Sequence, residues 1–218
     1  MSDTATKELI FIGDPMCSWC WGFAPDLRTL RDNYADRVAF TAMVGGLRPG
    51  TDKVMDEEAK GYIRHHWEEV QAKTGQSFDF SLFERDDFYY DTEPACRAVV
   101  TTRNMTPKDS GAAFDMHEAL HKAFYADNRD ITQTGILTDI ASETGLDAGD
   151  FGKHFESDDM QKATQVDFAL SRRLGVTGFP TIIAKQTEAD GESQYGYLTV
   201  GYRPYDAMQP LLEEWIRS

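Results

Sequence analysis

Apolar residues follow two patterns along the chain: short dense runs near its two ends, and helical spacing elsewhere. The run at residues 7–13 predicts a strand that is buried on both faces of a sheet. A second run, at residues 38–44, predicts a strand that ends at Gly45-Gly46. Between these runs, apolar side chains recur every three or four residues and predict a helix at 18–33. A strand, a helix and a strand in this order predict a parallel, right-handed βαβ unit.

The middle of the chain shows helical spacing and no clear strand. Thr92 can cap one helix there, and Pro94 is tolerated in the first turn of that helix. The other predicted helices lie at 56–73, 108–125, 132–144 and 149–155. We therefore expect a helical insertion at residues 49–159.

The last part of the chain returns to mixed patterning. A predicted helix at 160–174 leads to a β-branched run after Pro180, which predicts a strand. A turn at 188–193 and a further run at 195–200 predict its hairpin partner, and a helix at 205–217 follows. The fold class is therefore α/β.

Composition supports a folded protein and narrows its partners. The chain has 218 residues, of which 41% are hydrophobic and 12% aromatic, enough for a core in one large domain or a domain with an insertion. It carries 22 basic and 37 acidic residues, a formal net charge of −15. This balance argues against nucleic acid and against anionic membrane surfaces as partners.

The N-terminal residues do not resemble a secretory signal, and the chain lacks a long apolar run. Residues 1–8 are polar and lack the basic start and apolar segment of a secretory signal. No apolar run reaches the length of about 18 residues that a membrane span needs. We therefore expect a cytoplasmic protein, and in a reducing cytosol a close cysteine pair is more often catalytic than structural.

The candidate chemistry lies in Cys17-Ser18-Trp19-Cys20, between the first strand and the first helix. This spacing lets the two sulfurs approach bonding distance, about 2 Å. The first N–H groups of the helix and the positive end of its dipole favour a thiolate there, and the thiolate is the form that attacks a disulfide. We therefore expect Cys17, the more exposed sulfur, to be the nucleophile and Cys20 to be the resolving thiol of a redox disulfide.

A structural zinc site is the main alternative for these cysteines. Such a site needs four ligands, and His117 and His121, four residues apart, could share one helix face and supply two. We prefer the redox interpretation and expect no metal. We expect Cys96 to be a buried, inert thiol on an apolar helix face, and the two histidines to be partly buried helix residues.

Two segments carry a resemblance to a known family: Asp-Pro-Met-Cys-Ser-Trp-Cys-Trp-Gly at 14–22 and Gly-Val-Thr-Gly-Phe-Pro-Thr at 175–181. Together with the order of elements along the whole chain, they resemble the DsbA-like thiol–disulfide oxidoreductases. The resemblance implies a thioredoxin-like domain at 1–48 and 160–218, with an all-helical domain at 49–159 inserted into it. It also implies reduction, oxidation or isomerisation of protein or peptide disulfides without a cofactor, with glutathione or a dithiol protein as electron partner.

The family also gives expectations for the second segment. It implies that the Phe179–Pro180 peptide bond is cis and faces the cysteine pair. Proline has no N–H, so the backbone of Phe179 is free to pair with an extended substrate. We expect Trp19 and Phe179, with Trp21 and Phe23, to form an apolar collar around the sulfurs, with Trp21 equally well placed in the core.

The sequence departs from the family pattern in two places. Thioredoxin-like proteins often have a buried acid six residues before the nucleophile, and here Phe11 occupies that position. Asp14 is nearer, but we expect it to be solvated in the turn, so that proton transfer relies on water. The residues between the cysteines, Ser18 and Trp19, carry no charge that would tune the thiolate.

Two other functions are compatible with the same resemblance. Kappa-class glutathione transferases and 2-hydroxychromene-2-carboxylate isomerases share the fold, but typically have a serine where this chain has Cys17. Some DsbA-like cytosolic proteins act as adaptors that deliver a transcription factor to a protease, which depends on a surface patch rather than on redox turnover. We rank the oxidoreductase first, and the sequence specifies no oligomeric state.

Overall fold

The computed structural model describes residues 6–218. The strands in this range are β1 (Thr6–Gly13), β2 (Ala39–Val44), β3 (Thr181–Thr187) and β4 (Ser193–Val200). The α-helices in this range are α1 (Ser18–Tyr34), α2 (Glu57–Thr74), α3 (Glu93–Met105), α4 (Ala112–Tyr125), α5 (Thr134–Glu143), α6 (Ala148–Phe155), α7 (Asp158–Arg173) and α8 (Tyr205–Arg217). A short 3₁₀ helix occupies Phe80–Glu84. Most of the polar N-terminal stretch, 1–8, on which the absence of a secretory signal was argued, lies outside the described residues.

The strands form one sheet in the order β2-β1-β3-β4. β1 and β2 are parallel and are joined by α1, as the βαβ prediction requires. β3 runs antiparallel to β1 and pairs with β4 in a hairpin. The sheet and the inserted helices confirm the expected fold class, a thioredoxin-like α/β fold with a helical insertion.

β1 is one of the two inner strands and is buried on both faces, as its dense apolar run predicted. Leu9 and Phe11 face the large core beneath α1 and the insertion. Ile10 and Ile12 point to the opposite face, where they pack with Ile183 and neighbouring apolar residues. Because both faces of this strand are covered, the turn that follows it is held in a fixed position.

Helix α1 carries the predicted apolar face toward the core. Phe23, Leu27, Leu30 and Tyr34 are all buried. Pro25 lies inside the helix, where it removes one backbone donor. The helix contacts α2 and α4 of the insertion and α8 at the end of the chain, so the insertion packs against the helix that begins at the cysteine pair.

The insertion is built around aromatic side chains. Trp67 of α2 is fully buried, with ring centroids of Phe83 and Tyr125 at 4.8 and 4.9 Å. Helix α4 begins later than predicted, at Ala112, because residues before it form turns closed by the Asp109 carboxylate, which accepts from the Gly111 N–H at 2.9 Å. These aromatic contacts bring α4 close to the first turn of α1.

Contrary to the prediction, Thr92 does not cap helix α3 with its side chain. Thr92 does occupy the position before α3, but its side chain makes no capping hydrogen bond to that helix. Its hydroxyl instead accepts from the Arg48 N–H at 3.1 Å. The residue therefore ties the loop after β2 to the start of α3.

An ion pair, Arg103–Asp167, links α3 and α7 to the end of β2. The guanidinium meets both carboxylate oxygens at 2.8 Å, and Asp167 is buried. The same groups reach the backbone of β2: Arg103 donates to the Ala42 carbonyl at 2.7 Å, and Asp167 accepts from the Val44 N–H at 3.1 Å. One pair of side chains thus joins three elements; it is called the β2 clamp below.

The buried residues of the sheet side and of the insertion form one continuous cluster, which includes Phe11 and Leu30 as well as Trp67 and Phe124. The division into domains at 1–48 with 160–218 and at 49–159 stays a prediction. Within residues 6–218, no helix has the length and apolar character that crossing a bilayer demands.

Candidate redox site

The turn between β1 and α1 positions the cysteine pair. The Cys17 N–H donates to the Asp14 carbonyl at 3.0 Å, and the Cys17 carbonyl accepts from the Trp21 N–H at 3.1 Å. Cys17 precedes the first residue of α1 in extended conformation, with φ −96° and ψ 115°. Its sulfur therefore lies at the helix N-terminus, where unpaired N–H groups and the helix dipole favour negative charge.

The two sulfurs differ in exposure and environment. Cys17 retains 6% of its accessible surface and Cys20 retains 1%, so Cys17 is the more exposed, but only slightly. Both are free thiols. Burial raises the pKa of the Cys20 thiol well above its ordinary value, and the hydrogen bond with Cys17 raises it further. Cys20 thus keeps its proton when the pair is reduced.

Phe179 and Pro180 lie beside Cys17, brought there by the chain that enters β3. The Phe179 carbonyl is 3.7 Å from the Cys17 sulfur. The Phe179–Pro180 peptide bond is cis, and Pro180 is buried. A side chain at Gly45, at the end of β2, would overlap the ring of Phe179. The ring can occupy this position because Gly45 has no side chain.

A groove of about 220 Å³ opens next to Cys17. It is lined by the turn between β1 and α1 (residues 14–17, called the redox turn below), the start of α1, the loop after β2, helix α2, Tyr90 and Phe179. Its lining residues are Met16, Cys17, Ser18, Trp19, Leu47, Arg48, Tyr62, Ile63, His66, Trp67, Tyr90 and Phe179. Of the residues predicted for the site, Cys17, Trp19 and Phe179 meet here, whereas Cys20 does not line this groove.

The predicted apolar collar is smaller than expected. Trp19 is half-buried and packs on Tyr202 with ring centroids 5.8 Å apart. Trp21 and Phe23, by contrast, belong to the core: Trp21 donates its Nε1–H to the Ser77 carbonyl at 3.0 Å, and Phe23 is fully buried. The core position that the sequence also allowed for Trp21 is therefore confirmed, since the insertion covers it. The collar position expected for Phe23 is wrong, because its ring packs on Phe11 of β1 and on Tyr202.

The expectation that Asp14 is solvated is also wrong. Its side chain is fully buried and accepts hydrogen bonds from the N–H groups of Met16 and Leu47, at 2.8 and 2.6 Å. Burial raises the pKa of this carboxyl, and those two hydrogen bonds act against the rise. A buried acid therefore does lie at the redox turn, three residues before Cys17 rather than six.

Cys96 is buried, as predicted, but it is not merely a packing residue. Its thiol donates to the Asp14 carboxylate at 3.3 Å. Burial raises the pKa of Cys96 well above its ordinary value, and the adjacent Asp14 charge adds to the rise. The thiol is therefore a hydrogen-bond donor that helps to satisfy the buried acid.

His117 and His121 are more deeply placed than expected, at 3% and 2% exposure. Both lie on the face of α4 that meets the redox turn. His121 Nε2 is 3.3 Å from the Asp14 carbonyl, and the two Nδ1 atoms are 3.4 Å apart. Their four-residue spacing was visible in the sequence, but nothing there showed that this helix face would cover Cys20.

Sequence reasoning also missed two contributors, Tyr90 and Arg48. The Tyr90 hydroxyl donates to the Met16 carbonyl at 2.8 Å and so fixes the residue before Cys17. The Arg48 guanidinium lies over the Tyr90 ring, 5.3 Å from its centroid, at the edge of the groove. No motif in the sequence marks either residue, because the role of each depends on contacts with residues far away along the chain.

Among residues 6–218 no three His, Cys, Asp or Glu side chains are grouped so as to hold a metal ion.

Comparison with known proteins agrees with the fold described above. The sequence model of a family described as thioredoxin matches residues 10–210. A solved structure from Nitrosomonas europaea, provisionally assigned as a protein disulfide isomerase, is 34% identical, with a TM-score of 0.88 over 97% of this chain and 98% of the other.

Two further relatives are more distant. The cytosolic disulfide reductase DsbM of Pseudomonas aeruginosa is 23% identical, with a TM-score of 0.73 over 96% of this chain and 98% of its own. DsbM has also been solved with glutathione. The ClpXP adapter protein SpxH of Bacillus subtilis is 24% identical over 211 residues, which are 96% of this chain and 67% of SpxH.

Proposed function

Because the chain belongs to the thioredoxin family, in its DsbA-like branch, we propose that it is a thiol–disulfide oxidoreductase in which Cys17 attacks and Cys20 resolves. One observation carries the proposal: Cys17 lines an open groove, whereas Cys20 lies on its inner side, one helical turn away. A substrate sulfur can reach Cys17 from the groove, and only the internal Cys20 is placed to attack Cys17 from behind.

The chemistry needs no group beyond the two thiols. The Cys17 thiolate attacks one sulfur of a substrate disulfide, a mixed disulfide forms, and the other substrate sulfur leaves as a thiolate. Cys20 then loses its proton and attacks Cys17, which releases the second substrate thiolate and leaves a Cys17–Cys20 disulfide. The substrate gains two electrons, and two molecules of glutathione or one dithiol protein return the pair to its reduced state.

Cys20→Ser is expected to trap the intermediate of this scheme. Without the resolving thiol, Cys17 still attacks, but the mixed disulfide has no internal exit. Non-reducing gels and intact mass after incubation with a model disulfide should show a covalent adduct on most of the protein, against almost none for the unsubstituted chain. If Cys20→Ser accumulates no adduct with any model disulfide, the assigned roles are wrong.

The groove also supports a substrate class. In a chain of net charge −15, Arg48 places a cation at the groove edge beside Cys17. A peptide thiol or disulfide with a free carboxylate, such as glutathione, matches this arrangement, because guanidinium and carboxylate form charge-assisted hydrogen bonds. The structure of DsbM with glutathione supports the same class for this relative of DsbM.

Arg48→Gln is therefore expected to weaken reaction with glutathione disulfide about tenfold in kcat/KM, the effect of about 1.4 kcal/mol from one charged contact. Reaction with the uncharged hydroxyethyl disulfide should change by less than about twofold. Arg172→Gln, an exposed arginine at the end of α7, is the matched control and should leave both rates unchanged. Equal losses for the two substrates in Arg48→Gln would contradict a carboxylate contact.

An adaptor role is the second candidate, and the similarity to SpxH along 96% of this chain favours it. It predicts that Cys17→Ser/Cys20→Ser still delivers a partner protein to a ClpXP-type protease, since surface contacts alone carry that function. Loss of delivery together with loss of the thiols would instead support the redox role.

We further propose a cytoplasmic location, which the cytosolic assignment of DsbM supports.

A further inference from the structure

A small cavity lies on the inner side of the cysteine pair, between α1 and α4. Its volume is about 20 Å³, enough for a single water molecule. Residues of both helices and of β1 line it. Those that matter here are Cys20, Arg28 and Arg31 of α1, and His117, Glu118 and His121 of α4. The cavity thus connects the resolving thiol to two buried histidines, and it ends at charged side chains on the surface.

The hydrogen bonds around the histidines fix where their protons lie. A carbonyl oxygen can only accept, so His121 holds a proton on Nε2, which it donates to the Asp14 carbonyl. Neutral His121 then has a lone pair on Nδ1, and His117 donates its own Nδ1–H to it. Nε2 of His117 is left as an unprotonated acceptor.

That acceptor nitrogen has no hydrogen-bond partner within residues 6–218. His117 is 3% exposed, and its Nε2 is buried without a hydrogen bond among the described residues. Buried polar atoms are nearly always satisfied, so an unpaired one on a residue that lines a water-sized cavity points to a role there. The Cys20 thiol lines the same cavity.

We propose that His117, oriented by His121, accepts the proton of Cys20 through one water in this cavity when Cys20 resolves the mixed disulfide. The proposal rests on the roles given above to Cys17 and Cys20. As the Cys20 sulfur forms its bond to Cys17, the S–H proton moves through the water to His117 Nε2. The substrate leaves as a thiolate, and the imidazolium returns its proton to solvent at the outer end of the cavity.

The surrounding charges are compatible with this route. The titratable groups that face the cavity are Cys20, Arg28 and Arg31 on α1, His121 and Glu118 on α4, and Asp14 behind His121. Arg28 pairs with Glu118 and Arg31 with Asp115, which leaves the outer end polar. The Asp14 carboxylate is occupied by Met16, Leu47 and Cys96. None of these groups competes with Cys20 for His117.

The direction of the pKa shifts sets the expected pH dependence. Burial and the adjacent His121 lower the pKa of His117 well below its ordinary value, so the base is neutral at ordinary pH. Burial raises the pKa of Cys20, so the thiol is protonated there. Neither group changes state between about pH 6 and pH 8, and the resolution rate should be nearly constant over that range.

His117→Gln tests the proposal. Reduced protein is mixed with excess hydroxyethyl disulfide, quenched in acid, and the decay of the mixed disulfide is followed by intact mass. We expect resolution to be about a hundredfold slower, the lower end of the usual range for loss of a general base. Without an internal base the thiol must ionise to solvent, so the residual rate should rise about tenfold per pH unit. His154→Gln, an exposed histidine of α6, is the control and should resolve like the unsubstituted chain.

A second variant and two internal readouts separate the outcomes. His121→Phe keeps an aromatic ring beside Trp21 but removes the acceptor that orients His117, so it should also slow resolution, even if His117→Gln does not fold. The rate of Cys17 alkylation should be unchanged in both variants. A resolution rate that is unchanged and flat with pH in these variants overturns the proposal, and so does an equal loss of Cys17 alkylation. If Cys20→Ser traps no mixed disulfide, it is the proposed function that fails.

Discussion

Cys17→Ser is expected to abolish disulfide turnover, with a loss of at least about a thousandfold in rate. A serine hydroxyl is not ionised at neutral pH and forms no stable bond to a substrate sulfur, so neither the attack nor the internal disulfide is available. Stability should be nearly unchanged, because a serine hydroxyl can keep the two side-chain contacts of Cys17, the hydrogen bond with Cys20 and the 3.7 Å approach to the Phe179 carbonyl. The measurement is reduction of hydroxyethyl disulfide coupled to glutathione.

Cys96→Ser is the matched control for that loss. The serine hydroxyl can still donate to the Asp14 carboxylate, as the Cys96 thiol does, so the redox turn keeps its position. Turnover should remain within about threefold of the unsubstituted chain, a range typical of changes that spare the reacting groups. Substantial turnover by Cys17→Ser, or an equal loss in Cys96→Ser, would show that Cys17 is not the nucleophile.

Asp167→Ala is expected to cause the largest loss of stability, about 2–4 kcal/mol in the free energy of unfolding. It removes a buried carboxylate and leaves Arg103 without its counter-charge and the Val44 N–H without its acceptor. The lower end of the range for buried pairs applies, because the Arg103 side chain is still 29% exposed and water can reach it. Urea unfolding followed by tryptophan fluorescence measures the change.

The control for the β2 clamp is an exposed pair, Arg64–Glu68 on α2, with side chains 50% and 54% exposed. Glu68→Ala should change stability by less than about 0.5 kcal/mol, since surface ion pairs contribute little. Equal effects of the two substitutions would mean that the β2 clamp acts as an ordinary surface pair. If the slope of the unfolding free energy against urea concentration changes, rather than the midpoint, Asp167→Ala alters the compactness of the folded or the unfolded state.

Much of the fold is predictable from local pattern. The dense apolar run in β1 predicts that the strand is buried on both faces. The three-and-four spacing of Phe23, Leu27 and Leu30 predicts which side of α1 is buried. The cysteine pair at the start of that helix gives the candidate chemistry. These inferences work because each depends on residues close together in sequence.

The wrong predictions share a different origin. Asp14 was expected to face solvent and Phe23 to border the sulfurs, yet both are buried. Asp14 meets Cys96 of α3, and Phe23 packs on Phe11 and Tyr202. Periodicity tells which residues share a face, but not which distant segment covers that face. The hydroxyl of Thr92 was likewise assigned to its own helix, while the true partner is the Arg48 N–H, 44 residues away.

The insertion reaches the redox turn at several backbone atoms, among them the Met16 carbonyl held by Tyr90 and the Asp14 carbonyl held by His121. Deleting the insertion would therefore remove the hydrogen bonds to the Met16 and Asp14 carbonyls together with the part of α2 that lines the groove. For the same reason, exchanging α2 and its flanking loop between relatives, while retaining Tyr90 and α4, offers a way to redesign substrate choice without altering either sulfur. The insertion thus has two parts: Tyr90 and α4 support the backbone before Cys17, and α2 lines the groove beside it.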